Sequence, residues 1–342
     1  MNIILLGCGY AGNLHLKCYQ KLQDIMELNI VGAVDIDQKK LKKFQTAYNK
    51  SFNNKKEPLY ANNLNEISKH LDISDCVIDI CTPNDTHYLC AKEACNLGAK
   101  KIIIEKPLSS SISDMKKIEK LDAIIAVAEN YIYSKTTKHI KELLDNNGFK
   151  PLFIRTEFSK DRRTDSLNKR GCINGKHPHV FTVEIPHQLA VVSYLFGAPS
   201  KIYGAWVKDM LVADQKFYEH GEGAIYLAHE KDIVSYNLSC LEGHKHLSNR
   251  YREIHIHCED DIRIIGSYPI GGNDTVLYSE VSVHNNGSVS TSYKLHDDSM
   301  LETLKEILEC FDNNEIPITN VTFGKKIVEL ISKGTDIARG YT

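Results

Sequence analysis

The sequence has no excess of positive charge: 42 Lys and Arg stand against 44 Asp and Glu, a formal net charge of -2. Nucleic-acid binders normally carry a basic excess, so no nucleic-acid partner is expected. No apolar run approaches the ~20 residues that cross a bilayer, and no membrane partner is expected either. Met1 leads straight into an apolar segment, with no basic leader and no cleavage-site pattern, so no secretory signal is expected. The 10 cysteines contain no C-x-x-C pair. Together with the missing signal they read as reduced thiols in a cytoplasmic enzyme. There is no internal repeat and no low-complexity tract; the Lys/Asn-rich stretch 49–56 reads as a solvated loop. What is present is ordinary for a globular protein: 342 residues, 42% hydrophobic and 25% charged, enough for two domains and a sizeable core.

The opening stretch organises the rest. Ile3, Ile4, Leu5 and Leu6 run without polar interruption into Gly7-Cys8-Gly9-Tyr10-Ala11-Gly12. A parallel strand covered on both faces needs no polar alternation. In the Gly-x-Gly-x-x-Gly pattern, Gly7 allows a tight turn. Gly9 lets the backbone approach a pyrophosphate, and Gly12 lets the following helix pack close to the strand. That helix would aim its free N–H groups and positive dipole end at the phosphates. A second apolar strand over 28–35 ends at Asp35, near the offset of ~20 residues expected for an acid on the adenosine ribose. A carboxylate there accepts both ribose hydroxyls and repels a 2′-phosphate, which favours NAD over NADP. The competing reading is that Asp35 only caps the next helix.

Strands and helices then alternate. Helices are expected over 15–26, 37–48, 64–70, 88–96 and 112–120, and strands over 76–81, 101–104 and 123–128. This spacing means a doubly wound parallel sheet of the α/β class over residues 1–128. Thr82, Pro83 and Asn84 follow one strand and would line the cleft at the sheet's carboxyl edge. The next strand delivers Glu105-Lys106-Pro107. A lysine at that place can hydrogen-bond a substrate hydroxyl that becomes a carbonyl, and can lower its pKa.

The ordered series Gly7 to Gly12, Asp35, Thr82-Pro83-Asn84 with His87, and Glu105-Lys106-Pro107 resembles the Gfo/Idh/MocA family of oxidoreductases. The resemblance implies an N-terminal Rossmann domain that binds NAD, with NADP second. Its cofactor contacts would be Gly7, Cys8, Gly9, Tyr10, Ala11, Gly12, Asp35, Thr82, Pro83, Asn84, His87, Glu105, Lys106 and Asn130. Lys106 would be catalytic, and Pro107 would shape the turn through a cis bond. A second domain over 129–342 would hold substrate on an α+β scaffold with a large, mainly antiparallel open sheet. The strand-like runs over 151–159, 202–207, 223–229, 233–241, 253–258, 262–267 and 276–283 suit such a sheet. Helices are expected over 136–146, 186–196, 299–313 and 323–332. Relatives pair through the open face, so a homodimer or homotetramer is implied.

His187 sits in an apolar helix that closes at Gly197, where the family places a histidine facing the substrate. A neutral imidazole there can take the hydroxyl proton as hydride leaves. The competing reading is a satisfied core histidine. The chain also departs from the family. The Asp usual four residues before that histidine is Val183 here, and Asn130-Tyr131 is followed by Ile132 where relatives carry an Arg. Glu184, three residues before His187, would share its helical face and could replace the Asp, unless Pro186 breaks the helix start. Tyr131, Arg163, Arg170, Lys106, Glu184 and His187 are the candidate substrate contacts. The cationic stretch 160–179 holds Arg162, Arg163, Lys169, Arg170, Lys176, His177 and His179. It is either a solvated loop or a segment that grips an anionic group. No metal is expected, because no acid or thiol completes a ligand pattern with these histidines.

The reaction implied is hydride transfer between nicotinamide and a secondary alcohol or ketone of a sugar, sugar phosphate, nucleotide sugar or cyclitol. Two other readings stay open: a reductase of another carbonyl or imine, and a non-catalytic NAD-binding sensor.

Overall fold

In the computed structural model of the chain, the apolar run before Gly7 forms β1 (Asn2–Leu6), with Ile3, Ile4 and Leu5 fully buried. The structure describes residues 1–52, 56–162, 179–212, 216–242, 250–269 and 277–340; at 211–212, 216–219 and 250 only the backbone is described. After β1 come α1 (Tyr10–Leu22), β2 (Asn29–Val34), α2 (Gln38–Ser51), β3 (Leu59–Ala61), α3 (Leu64–Ile67) and β4 (Cys76–Ile80). Then follow α4 (His87–Asn96), β5 (Lys101–Glu105), α5 (Ile112–Ile118) and β6 (Ile124–Ala128). The six strands are all parallel and lie in the order β3-β2-β1-β4-β5-β6. The order reverses between β1 and β4, the switch point where open α/β sheets bind ligands at their carboxyl ends. Val31, Leu64, Ile67, Ile78, Ile102, Met115 and Val127 belong to one apolar layer packed on this sheet.

A second sheet is built from α6 (Lys135–Asn146), β7 (Pro151–Lys160), α7 (Val180–Val183), α8 (Ile185–Phe196), β8 (Lys201–Val212), β9 (Lys216–Ala228) and β10 (Val234–Cys240). It is completed by β11 (Arg250–Cys258), β12 (Ile262–Ser267), β13 (Tyr278–Asn285) and β14 (Ser288–His296). Its order is β14-β13-β12-β11-β7-β10-β9-β8, antiparallel throughout except where β7 and β10 run parallel. Alternation sorts β7: Ile154, Thr156 and Phe158 are fully buried, and α8 packs on β7 and β10. The opposite face is polar, with Arg155 on Glu157 at 3.1 Å and His255 on Glu253 at 2.8 Å. The mainly antiparallel sheet expected from the sequence is therefore present.

The chain ends in α9 (Ser299–Asp312) and α10 (Val321–Arg339). It divides into two compact units, Met1–Glu129 with Met300–Val328, and Asn130–Ser299 with Glu329–Thr342. The single boundary expected after residue 128 misses this return of the chain. Val127 N–H donates to Thr319 C=O at 2.7 Å, and Lys325 pairs with Glu119 at 2.8 Å. A Cβ on Gly324 would come within 2.8 Å of Val127 and 3.1 Å of Leu108, so this part of α10 lies directly on the end of β6.

Candidate functional site

The Gly-rich turn behaves as its spacing predicts. Gly7 has φ +99°, and a Cβ there would sit 2.7 Å from the Cys81 backbone. A Cβ on Gly12 would sit 2.1 Å from the Gly7 carbonyl oxygen, so only glycine lets α1 come this close to β1. Gly9, the N-cap of α1, faces open space: nothing lies within 4 Å of where its Cβ would be. The first turn of α1 carries no acidic side chain. This cradle fits a dinucleotide pyrophosphate, because the N–H groups of a helix start lie behind it. Asn13, which the sequence reading did not single out, donates from Nδ2 to the carbonyls of Cys8 and Gly9 at 2.9 and 2.7 Å. Those bonds hold the loop carbonyls away from an incoming anion. Tyr10 is 67% exposed at the first helical position.

Asp35 follows β2 and is tied to the same loop. Its Oδ2 accepts the Cys8 N–H and its Oδ1 accepts the Asp37 N–H, both at 2.8 Å. Each carboxylate oxygen retains a lone pair for a ribose hydroxyl. The cap of α2 is Asp37 instead, whose side chain accepts from Lys39 and Lys40. The reading of Asp35 as a helix cap is therefore corrected. Cys8 is buried beside this carboxylate, and burial first, then Asp35, raises its thiol pKa to about 12. It contributes its backbone N–H and no nucleophile.

Thr82, Pro83 and Asn84 stand partly exposed at the turn after β4. His87 does not share their exposure. It is fully buried, with Nε2 3.1 Å from the Thr82 carbonyl oxygen and Nδ1 3.1 Å from that of Pro107. Burial holds its pKa below the ordinary value. It therefore joins the turns after β4 and β5. The Lys106–Pro107 peptide is cis. Glu105 Oε2 accepts the Lys106 N–H at 3.0 Å, and its Oε1 lies 3.1 Å from His15 Nε2.

His15 lies in α1, three residues beyond Gly12. It is fully buried, and its Nδ1 lies 2.8 Å from Asp79 Oδ2, in the middle of β4. Tyr19 donates to the same oxygen at 2.7 Å. The signal was an acid inside the otherwise apolar strand Cys76–Ile80, which must find a partner to be buried. Burial favours neutral His15, but Asp79 and the Cys81 sulfur outweigh it, so its pKa stands well above 6.5. Burial likewise raises Glu105, but His15 and then Lys106 outweigh it and bring its pKa below the usual carboxylate value. His15, Asp79 and Cys81 also have the mutual spacing of a metal-ligand set, all ligand atoms within 4.8 Å. In this structure their contacts are those of a hydrogen-bonded cluster.

The second unit holds Asn130, Tyr131, Glu184 and His187, whereas Lys106 belongs to the first. The helical face assumed for Glu184 and His187 is interrupted. α7 ends at Val183 and α8 begins at Ile185 with Pro186 in its first turn, so Glu184 is the hinge between them. Glu184 is 1% exposed and ion-paired on both sides. Arg162 donates from Nε and Nη2 to its Oε1 at 3.1 and 3.0 Å, and Arg252 from Nη2 to its Oε2 at 3.4 Å. Arg162 lies in the stretch read as either a solvated loop or a segment that grips an anionic group, and its guanidinium grips Glu184. Arg252, missed in the sequence, also lies over the Tyr131 ring at 5.2 Å. His187, 7% exposed, meets the same ring edge-on at 4.9 Å. Asn130 donates to Ser299 Oγ at 3.0 Å. Arg163 and Arg170, with Lys169, Lys176 and His177, lie outside the described residues.

Residues 1–145 match the family model of the Gfo/Idh/MocA proteins, an oxidoreductase family with an NAD-binding Rossmann fold. No curated protein matches the chain in sequence. Solved structures of similar fold include the UDP-N-acetylglucosamine 3-dehydrogenase GnnA from Acidithiobacillus ferrooxidans, at TM-score 0.76 and 12% identity, covering 100% of this chain and 98% of that one. A 3-ketoreductase from Actinomadura kijaniata in complex with TDP-benzene and NADP aligns at TM-score 0.76 and 9% identity, over 98% and 97% of the two chains. The WlbA dehydrogenase from Bordetella pertussis, in complex with NADH and UDP-GlcNAcA, aligns at TM-score 0.73 and 14% identity, over 100% and 97%. These likenesses are of fold and run through both sheets. Among the described residues no helix is long and apolar enough to cross a membrane.

Proposed function

We propose that the protein transfers a hydride between NAD and a secondary alcohol or ketone of a nucleotide-linked sugar, with free sugars, sugar phosphates and cyclitols as the wider class. The observation that carries the cofactor half is Asp35, whose carboxylate is held against the Gly-rich turn at the Cys8 N–H. The substrate class is supported by the similar structures whose names carry UDP- or TDP-linked ligands.

Gly7, Gly9 and Gly12 would seat the pyrophosphate, and Asp35 would accept the ribose hydroxyls that a 2′-phosphate cannot offer. Bound NAD supplies the hydride acceptor or donor. Lys106 Nζ donates to the reacting oxygen and stabilises the charge that builds there. An imidazole nitrogen of His187 takes or returns the hydroxyl proton. Tyr131 holds the His187 ring by its edge contact. Glu184, ion-paired to Arg162 and Arg252, sets the start of the helix that presents His187. We also propose a homodimer or homotetramer formed on the open face of the second sheet.

One observation favours a second reading. Because two guanidinium groups engage Glu184, it is a poor stand-in for an Asp that supports the histidine's proton transfer. A reductase of another carbonyl or imine, with Lys106 as sole electrophilic aid, would tolerate that arrangement. Turnover by His187→Asn separates the two. Loss of about two or more orders of magnitude supports the acid–base role, and near-normal turnover supports the second reading.

A further inference from the structure

We infer that His15 is a buried, doubly hydrogen-bonded imidazolium that positions the carboxylate carrying Lys106, and so links the helix at the Gly-rich turn to the catalytic lysine. The inference rests on the proposed role of Lys106.

His15 Nδ1 faces Asp79 Oδ2 at 2.8 Å, and Nε2 faces Glu105 Oε1 at 3.1 Å. A neutral imidazole has one N–H, and an ionised carboxylate only accepts. Two contacts between ring nitrogens and carboxylate oxygens therefore need two protons. With both present on the ring, the three groups carry one net negative charge, and the neighbouring Lys106 ammonium offsets it. With one present, one of the two carboxylates would face a ring lone pair beside a buried imidazole, which is far less favourable.

The hydrogen-bonding groups that face the ring fit the doubly protonated form. On its own helix, Tyr19 donates to Asp79 Oδ2 at 2.7 Å. On β4 and the turn after it, Asp79 accepts and the Cys81 thiol stands 3.3 Å from Nδ1. At the end of β5, Glu105 accepts from the ring on one oxygen and from the Lys106 N–H on the other. Burial holds the Cys81 thiol protonated, so it adds no charge of its own.

The consequence is mechanical as well as electrostatic. α1 starts at the Gly9 cradle, and His15 ties it to the carboxylate whose second oxygen fixes the backbone of Lys106. His15 is therefore a positioning residue that acts through Glu105. Its positive charge also offsets part of the negative field that Glu105 places beside Lys106.

Selective 15N-histidine NMR of the intact protein tests this without any substrate. The expected spectrum shows protons on both His15 nitrogens across neutral pH, with the resonance assigned by its loss in His15→Asn. The isosteric Asp79→Asn, which keeps the shape, should release one of them at neutral pH. A single protonated nitrogen in the wild type would overturn the inference. So would a spectrum altered by a chelator, which would assign the cluster to a metal. In 13Cε-lysine spectra assigned with Lys106→Arg, His15→Asn should raise the Lys106 midpoint by roughly half a pH unit or more. An unmoved midpoint counts against the link to Lys106. A charged His15 in a protein that turns over no sugar leaves this inference standing and removes the proposed function. A neutral His15 in an active enzyme does the reverse.

Discussion

Asp35 accepts the backbone N–H of Cys8 at 2.8 Å, so the acid proposed to choose the cofactor also braces the turn that would hold its phosphates. Asp35→Asn keeps one accepting oxygen and loses the charge. NADH affinity should fall by about tenfold or more, while NADPH affinity falls less or rises. Fluorescence titration of both cofactors reads the ratio, and an unchanged ratio removes Asp35 from the ribose site.

Gly12 and Gly9 give a paired test. Gly12→Ala must displace the Gly7 carbonyl, 2.1 Å from the new Cβ, and should lower stability by about 1–3 kcal/mol or more. Gly9→Ala meets no protein atom within 4 Å, so its Tm should stay close to that of the wild type while NADH binding weakens. If Gly9→Ala bound NADH normally, the cradle in front of α1 would not be the phosphate site.

Glu184 is buried between Arg162 and Arg252, and its removal would strand two guanidinium groups. Glu184→Ala should cost about 3–5 kcal/mol in urea unfolding, and Glu184→Gln distinctly less. A loss under about 1 kcal/mol would show that the ion pairs are dispensable to the fold.

His179 supplies a pH signature. Burial first, then His220 and Arg339, lowers its pKa from 6.5 to about 4. A depressed folded value means that the unfolded chain binds the proton first. The contribution is therefore fully present above about pH 6.5 and is lost as the pH falls toward 4, by an amount on the order of 2–3 kcal/mol. His179→Gln should flatten that acid limb in unfolding measurements between pH 7 and pH 4. An unchanged limb would assign the acid loss to other groups.

Much of this was legible because parallel strands announce themselves. Ile3–Leu6 and the apolar residues of Cys76–Ile80 are buried on both faces and need no alternation. The two edge strands were missed for the opposite reason. Ser288–His296 is exposed along nearly its whole length, so no apolar pattern marks it, and Leu59–Ala61 is three residues long. Gly7, Gly12 and Asp35 were found because backbone approach and a fixed offset constrain residue type. The His15–Asp79 pair and the Arg162–Glu184–Arg252 cluster were not, because their partners are far apart in sequence. Glu184 misled for a local reason: Pro186 starts a new helix, so spacing by three no longer meant a shared face.

The protein is proposed to be an NAD-linked oxidoreductase of a nucleotide-bound sugar. The most direct measurement titrates the intact protein with NADH and with NADPH by nicotinamide fluorescence, then adds UDP- and TDP-sugars, sugar phosphates and cyclitols. Tight NADH binding, weaker NADPH binding and a nicotinamide signal consumed or restored by a nucleotide sugar are the predicted result. Binding of neither cofactor, or tight NADH binding that no member of the panel perturbs, would contradict it.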